Sequence, residues 1–253
     1  MSYAIVFSSK TGNTALLAQT LQEQLPQADC ILLPLPLEQS GLPLAQLLGM
    51  AKPGALALGG KVTDSARTIA RAAGVELVDY FARPELTVYN AIPTAEGCIG
   101  ILLERRSRTL WGAAVLVLGF GPVGRALAVR LAALGARVTV AARRPVQRAM
   151  AEELGLLAVP LTDLAAAAAA FDTVVNTIPA PVLTAQVLAA LPKGCLIVDL
   201  ASKPGGTDFA AARRLGHTAL HALSLPTVWA PETAGEALAR TVQAILQERE
   251  EKI

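Results

Sequence analysis

The composition of this 253-residue chain is that of a folded, aliphatic-rich protein, because 53% of its residues are hydrophobic, 17% are charged and only 4% are aromatic. A chain of this length and apolar content can bury a core, which excludes intrinsic disorder. Its formal net charge of +2 excludes the basic field that holds nucleic acid. We therefore predict a core of Ala, Leu and Val, which suits buried parallel strands covered by helices.

The cysteines and the apolar segments indicate a cytoplasmic protein without a metal site. Cys30, Cys98 and Cys195 lie far apart, lack metal-ligand spacing and are odd in number, so we interpret them as reduced thiols. No basic segment precedes an apolar stretch near residue 1, and prolines and aspartates interrupt the apolar segment 156–183. We therefore expect neither a signal peptide nor a membrane span.

Strand and helix patterns alternate along the chain. In the first part, strands are predicted at 3–7, 30–33, within 53–60 and at 76–78, with helices at 15–25 and 65–73. A helix follows over 94–104, with Thr94 as its N-cap. The second part has strands at 113–118, 137–141, 171–176 and 195–200, a helix at 125–134 and an amphipathic helix at 233–251.

This alternation predicts an α/β protein with two domains. We place the first at residues 1–92, a linking helix at 93–109 and a Rossmann NAD(P)-binding domain at 110–225. Residues 226–253 are predicted to form a C-terminal helix that packs back on the first domain.

A glycine-rich turn between a buried strand and a helix predicts a dinucleotide site. Gly119 permits the tight turn, Gly121 lets the backbone approach a pyrophosphate, and Gly124 allows the helix to pack on the strand. The free N–H groups of the helix then face the phosphates. The predicted cofactor contacts here are Gly119, Phe120, Gly121, Pro122, Val123 and Gly124.

The end of the next strand favours NADP over NAD. It carries Arg143 and Arg144 where NAD-binding domains place a carboxylate for the ribose hydroxyls, and arginine binds a 2′-phosphate through charge-assisted hydrogen bonds. The alternative is two solvated surface arginines. Thr177, Ile178 and Pro179 follow another strand, which ends at Asn176, and either pack beside the nicotinamide or form an ordinary strand exit.

Five segments together resemble the A-subunit family of dipicolinate synthase. They are YNAIPTAEG at 89–97, VLGFGPVG at 117–124, NTIP at 176–179, DLASKPGGTDF at 199–209 and LPTVWAPETAG at 225–235. The resemblance implies a flavodoxin-like N-terminal domain beside the Rossmann domain. It also implies oxidation of a dihydrodipicolinate derived from hydroxytetrahydrodipicolinate, with hydride transfer to NADP, on a branch of the lysine and diaminopimelate pathway used in sporulation. The implied partner is the flavoprotein-like B-subunit of dipicolinate synthase, and a homodimer is compatible with this architecture.

A dicarboxylate substrate requires cations and hydrogen-bond donors near the cofactor. Lys203 is our candidate for binding one carboxylate, and Glu96 and Asp208 are the candidate proton acceptors. The further substrate-binding candidates are Asn90, Thr94, Ser202, Thr207 and Lys10. For Glu96 and Thr94 the alternatives are an ion pair and a helix cap.

Two other functions are compatible with the sequence. The segment SSKTGNT at 8–14 is similar to the phosphate loop of flavodoxins, so an FMN-binding flavoprotein is one alternative. The same loop, through Lys10, can instead bind a substrate carboxylate, or it can simply cap the helix that follows. The second alternative is a non-catalytic NADP-binding regulatory protein.

Overall fold

The described chain divides into two compact α/β units. The computed structural model describes residues 3–5, 28–34 and 42–251, with the backbone alone for residues 3–5. One unit contains the chain up to Thr87 together with the residues from Ala237 onward, and the other is Val88–Glu236. The predicted loop at 8–14 and its Lys10 lie outside the described residues.

The smaller unit is built on a parallel sheet. Its strands, in spatial order, are β1 (Tyr3–Ile5), β2 (Cys30–Leu32), β3 (Leu56–Gly59) and β4 (Glu76–Asp79). Two helices of this unit are α1 (Leu44–Gly49) and α2 (Asp64–Ala72), and a 3-10 turn spans Tyr80–Ala82. The hydroxyl of Thr63 caps α2 by accepting a hydrogen bond from the backbone N–H of Ala66.

The larger unit has the strand order of a doubly wound Rossmann sheet. Its six parallel strands are β5 (Ala114–Leu118), β6 (Arg137–Ala142), β7 (Leu157–Pro160), β8 (Thr173–Asn176), β9 (Leu196–Asp199) and β10 (Thr218–His221). Their spatial order across the sheet is β7-β6-β5-β8-β9-β10. The order reverses between β5 and β8, which is where such sheets bind ligands at the carboxyl ends of their strands.

Helices cover this sheet on both faces. They are α3 (Pro84–Arg105), α4 (Pro122–Ala133), α5 (Pro145–Glu153), α6 (Leu164–Ala167), α7 (Ala185–Ala190), α8 (Phe209–Arg214) and α9 (Leu225–Trp229). The last helix of the chain is α10 (Pro231–Glu250). The alternating residues of β5 show the two-sided burial, since Val115 and Val117 enter one core while Leu116 and Leu118 enter the other. Helix α10 begins in this unit, and its Ala237 and Ile245 pack in a core of the smaller unit.

Helix α3 is longer than the sequence predicted. The predicted start at Thr94 is wrong, because the helix begins at Pro84 and runs through Pro93. Thr94 lies inside it, and its hydroxyl donates a 2.6 Å hydrogen bond to the carbonyl of Asn90. Proline is favoured in the first turn of a helix, where Pro84 lies. Pro93 is tolerated inside the helix, although it provides no backbone N–H donor.

Helix α3 is also long and apolar enough to cross a membrane, judged by length and composition alone. Its residues Ala95, Cys98 and Leu102 are fully buried in a core of the larger unit. The helix is therefore a core element of this unit.

A bidentate ion pair connects the end of α3 to the start of β8. The Arg106 guanidinium donates to both carboxylate oxygens of Asp172, at 2.7 and 3.2 Å, and also to the hydroxyl of Thr173. Burial opposes ionisation of Asp172, but hydrogen bonds from Arg106 and Thr173 and the positive charges of Arg106 and Arg108 outweigh it, so the pKa of Asp172 lies below its ordinary value.

We expect this pair to stabilise the fold only while Asp172 is ionised. Because its folded-state pKa is depressed, the contribution is complete above the unfolded pKa of about 3.9 and is lost as the pH falls through the folded pKa. Asp172→Asn is therefore expected to lower the urea midpoint at pH 7, and its difference from the unsubstituted chain should shrink below about pH 4. A difference that stays constant across this range would contradict the assignment.

Candidate nicotinamide dinucleotide site

The turn between β5 and α4 has the close packing that requires glycine at two positions. Gly119 has a φ of +91°, and a Cβ there would lie 2.5 Å from the Thr177 hydroxyl oxygen. A Cβ at Gly124 would overlap the backbone oxygen of Gly119, so helix α4 approaches the turn as closely as a glycine allows. These two glycines shape the turn through contacts within the protein.

Gly121 differs from the other two glycines. A Cβ built on it meets no heavy atom within 4 Å. It is also the N-cap of α4, where no side chain caps the helix and Pro122 occupies the first turn. The first N–H groups of a helix have no intrahelical acceptor, and they attract an anion. The turn therefore fits a pyrophosphate, which would occupy the space that Gly121 leaves open.

The end of β6 forms a positively charged border to this turn. Arg143 and Arg144 are exposed, and neither side chain makes a hydrogen bond or ion pair with any residue in the described ranges. Arg148, which the sequence interpretation missed, donates to the carbonyl oxygens of Ala142 and Arg143 at 2.9 and 3.0 Å. It fixes the backbone that carries the two free guanidinium groups. Both groups are thus exposed cations at the end of the strand that follows the glycine turn.

The predicted nicotinamide-side residues directly contact the glycine turn. The Thr177 hydroxyl donates a 2.7 Å hydrogen bond to the carbonyl of Leu118, and its backbone N–H donates to the same oxygen at 2.9 Å. The Ile178 side chain lies near Gly119, where a Cβ would be 2.9 Å from Ile178 Cγ1. The segment that contains Pro179 thus leaves the sheet beside the dinucleotide turn.

The segment after β9 carries two of the predicted substrate-binding residues, Ser202 and Lys203. Ser202 and Lys203 are exposed, and their side chains make no hydrogen bond or ion pair with a residue that the structure describes. The peptide bond between Lys203 and Pro204 is cis. Thr207 is less free, because its hydroxyl donates a 2.7 Å hydrogen bond to Asp199. Lys203 and Ser202 are therefore available to a ligand, while Thr207 has a structural partner.

The structure gives Glu96, the first candidate proton acceptor, another partner. Glu96 is 61% exposed, and its carboxylate lies 3.6 Å from the guanidinium of Arg130. Arg130 is eight residues beyond Pro122, about 12 Å along α4 from the glycine turn. Glu96 is therefore not brought to that turn.

Asp208, the second candidate proton acceptor, is a helix cap. It accepts a 2.9 Å hydrogen bond from the N–H of Ala211 at the start of α8. The carbonyl of Asn90 accepts a hydrogen bond from the Thr94 hydroxyl within α3. In the described residues, neither Asn90 nor Thr94 makes a hydrogen bond to the glycine turn. Of the predicted substrate and catalytic residues that the structure describes, Ser202 and Lys203 thus have the fewest competing contacts.

Burial raises the thiol pKa of all three cysteines. Burial raises the pKa of Cys98 to about 12. It also raises the pKa of Cys195 to about 12, helped by Asp172 and opposed by Arg106. Burial raises the pKa of Cys30 too, against the charge of Arg249. The thiolate is the reactive form of cysteine, so the chemistry of this site depends on other groups.

The fold and the glycine turn define the class of a nicotinamide-dinucleotide-binding protein of the dehydrogenase type. Residues 101–203 match the family described as "D-isomer specific 2-hydroxyacid dehydrogenase, NAD binding domain". This match supports an oxidoreductase role and a nicotinamide dinucleotide as cofactor.

The chain belongs to the A-subunit family of dipicolinate synthase. It is 30% identical to the A-subunit from Bacillus subtilis, whose crystal structure superimposes with a TM-score of 0.85 over 100% of this chain and 98% of that one. The A-subunit structure from Bacillus halodurans gives 28% identity and a TM-score of 0.84 over 97% of both chains.

A third comparison, by sequence, concerns the dipicolinate synthase A-subunit from Bacillus subtilis strain 168. The identity is 41% over 180 residues, which is 71% of this chain and 61% of that relative's length. The resemblance drawn from the five sequence segments is thereby confirmed, as is the α/β fold class with its Rossmann NAD(P)-binding domain.

Proposed function

We propose that this chain is an NADP-dependent dehydrogenase that oxidises a dihydropyridine dicarboxylate, dihydrodipicolinate, to dipicolinate. The observation that carries the choice of cofactor is the pair of unpartnered guanidinium groups, Arg143 and Arg144, at the end of β6 in the described part of the chain. A 2′-phosphate there would gain charge-assisted hydrogen bonds, and β6 ends without the carboxylate that would repel it. The choice of substrate is supported by membership of the family.

The proposed reaction requires the protein mainly to bind the substrate and the cofactor and to orient them. Oxidation would remove a hydride and a proton from the substrate and leave an aromatic pyridine dicarboxylate. Lys203 is the residue that we propose for one carboxylate, with Ser202 as an added donor. NADP, when bound, supplies the hydride acceptor.

For the proton, Glu96 and Asp208 remain the proposed acceptors. Asp208 has the better position of the two, because it lies in the same segment as Lys203, whereas Glu96 pairs with Arg130. We propose that the chain works in the cytoplasm with the flavoprotein-like B-subunit of the synthase, and that its N-terminal unit is a substrate domain.

The direct test is NADPH formation, followed by absorbance, with freshly generated dihydrodipicolinate, with and without the partner protein. Turnover with NADP is the expected result. Binding of NADP without turnover under both conditions would instead favour a non-catalytic regulatory role. Flavin absorbance in the purified chain would favour the FMN alternative.

A further inference from the structure

A fully buried carboxylate holds the segment after β9. Asp199, the last residue of that strand, is 0% exposed. Its Oδ1 accepts hydrogen bonds from the N–H of Ala201 at 3.0 Å and from the side-chain amide of Asn176 at 2.9 Å. Its Oδ2 accepts from the N–H of Gly206 at 2.9 Å and from the Thr207 hydroxyl at 2.7 Å. These four donors satisfy the hydrogen-bonding capacity of the buried carboxyl group. No cation of the described chain pairs with it.

Asn176 extends this arrangement to a second segment. It is the last residue of β8 and lies opposite Asp199 in the sheet register. Besides bonding to Asp199, its amide donates to the carbonyl of Ile178 at 3.0 Å, and its Oδ1 accepts from the N–H of Ile178 at 3.0 Å. One side-chain pair therefore fixes residues 177–180 and residues 201–207 together.

Backbone hydrogen bonds also join the segment 201–207 to the residues that follow 177–180. The N–H groups of Val182 and Leu183 both donate to the carbonyl of Gly206, at 3.0 and 2.9 Å. A Cβ at Gly206 would lie 2.6 Å from both Asn176 Nδ2 and the Ile178 oxygen, so only glycine fits there.

We infer that Asp199 and Asn176 are positioning residues for the nicotinamide half of the dinucleotide and for the substrate carboxylate beside it. The inference rests on the proposed function. The segment 177–180 contacts the glycine turn through Thr177, and the segment 201–207 carries Lys203, so the pair sets the geometry of both ligands without touching either. The adenosine phosphate binds at the other side of the turn, where Asp199 has no role.

The conservative substitution Asp199→Asn tests this idea. An amide keeps the volume but can accept through one oxygen only. In either orientation its NH2 group would face a backbone N–H of the segment 201–207, that of Ala201 or that of Gly206. Asp172→Asn is the matched control, because it makes the same chemical change at the opposite end of the strands in the same unit.

Two readouts separate positioning from stability. In the free protein, hydrogen exchange should accelerate in residues 177–183 and 200–208 of Asp199→Asn and stay unchanged there in Asp172→Asn. On titration with NADPH, Asp199→Asn should still give binding heat. Its Kd should stay within about 10-fold of that of the unsubstituted chain, a difference in binding free energy of about 1.4 kcal/mol. The change in nicotinamide emission that binding produces should be lost. Turnover should fall about 100-fold, as expected for misplaced reactants, and the control should keep it.

If the unsubstituted chain binds NADPH but shows no turnover, the proposed reaction fails while the emission and exchange data still decide the role of Asp199. Identical nicotinamide emission in Asp199→Asn and the unsubstituted chain would overturn the inference. Should Asp199→Asn not fold, Thr207→Val removes one of the four donors and is expected to show the same exchange and emission changes in weaker form. Unchanged exchange and emission in Thr207→Val would then overturn it.

Discussion

Replacing Gly121 with valine is expected to abolish tight dinucleotide binding while leaving the protein folded. In the unliganded chain a Cβ at this position meets no heavy atom within 4 Å, and the backbone φ of −80° suits any residue. The added side chain would instead occupy the pyrophosphate space and separate the phosphates from the helix N–H groups. Losing two such charge-assisted hydrogen bonds, at about 1.5–3 kcal/mol each, raises the Kd by about 100-fold or more.

The matched substitution is Gly124→Ala, which adds a single methyl group to the same turn. Here the Cβ overlaps the Gly119 carbonyl oxygen, so the helix must move and the melting temperature should drop. Thermal melting and calorimetric titration of both variants give the comparison. A Gly121→Val protein that binds the dinucleotide as tightly as the unsubstituted chain would show that the turn has only a structural role.

Replacing both Arg143 and Arg144 with alanine is expected to change which dinucleotide the chain prefers. Each guanidinium is exposed and unpartnered among the described residues, so its loss costs little stability. Both can donate charge-assisted hydrogen bonds to a 2′-phosphate. Their removal should raise the Kd for NADP about 100-fold, at about 1.4 kcal/mol per tenfold step, and leave the Kd for NAD within about 3-fold.

Arg137→Ala is the control for this double substitution. Arg137 is an exposed arginine at the start of β6, the strand that Arg143 and Arg144 follow, and its guanidinium donates to the carbonyl of Gly112. It should leave both dissociation constants unchanged. Equal weakening of NADP and NAD by the double substitution would mean that the two arginines act through general charge and not through the 2′-phosphate.

The sequence predicted the parts of the site that depend on local patterns. The three glycines follow a buried strand at the spacing that a strand–turn–helix unit requires. The structure has this unit, with the glycines in the turn and at the start of the helix. The start of α3 was predicted wrongly because Thr94, directly after Pro93, has the side chain of an N-cap, whereas this helix continues through the proline.

The residues that hold the site together were harder to predict. Asp199 is a single aspartate at a strand end, and two of its four donors are backbone N–H groups, so no side-chain pattern marks it. Its one signal is its position, because a carboxylate at the end of a buried apolar strand needs hydrogen-bond donors. Arg148 donates hydrogen bonds to backbone carbonyls, so no side-chain pattern marks it either. The role of the loop at 8–14 stays a prediction outside the described residues.

Binding of a phosphorylated nicotinamide dinucleotide by the turn at 119–124 and the arginines at 143 and 144 is the property on which the proposed function depends. Calorimetric titration of the purified chain with NADP and, separately, with NAD measures this binding without substrate or partner. We expect binding heat for both dinucleotides and a markedly lower Kd for NADP. Absence of heat with NADP, together with an unchanged melting temperature, would contradict the assignment.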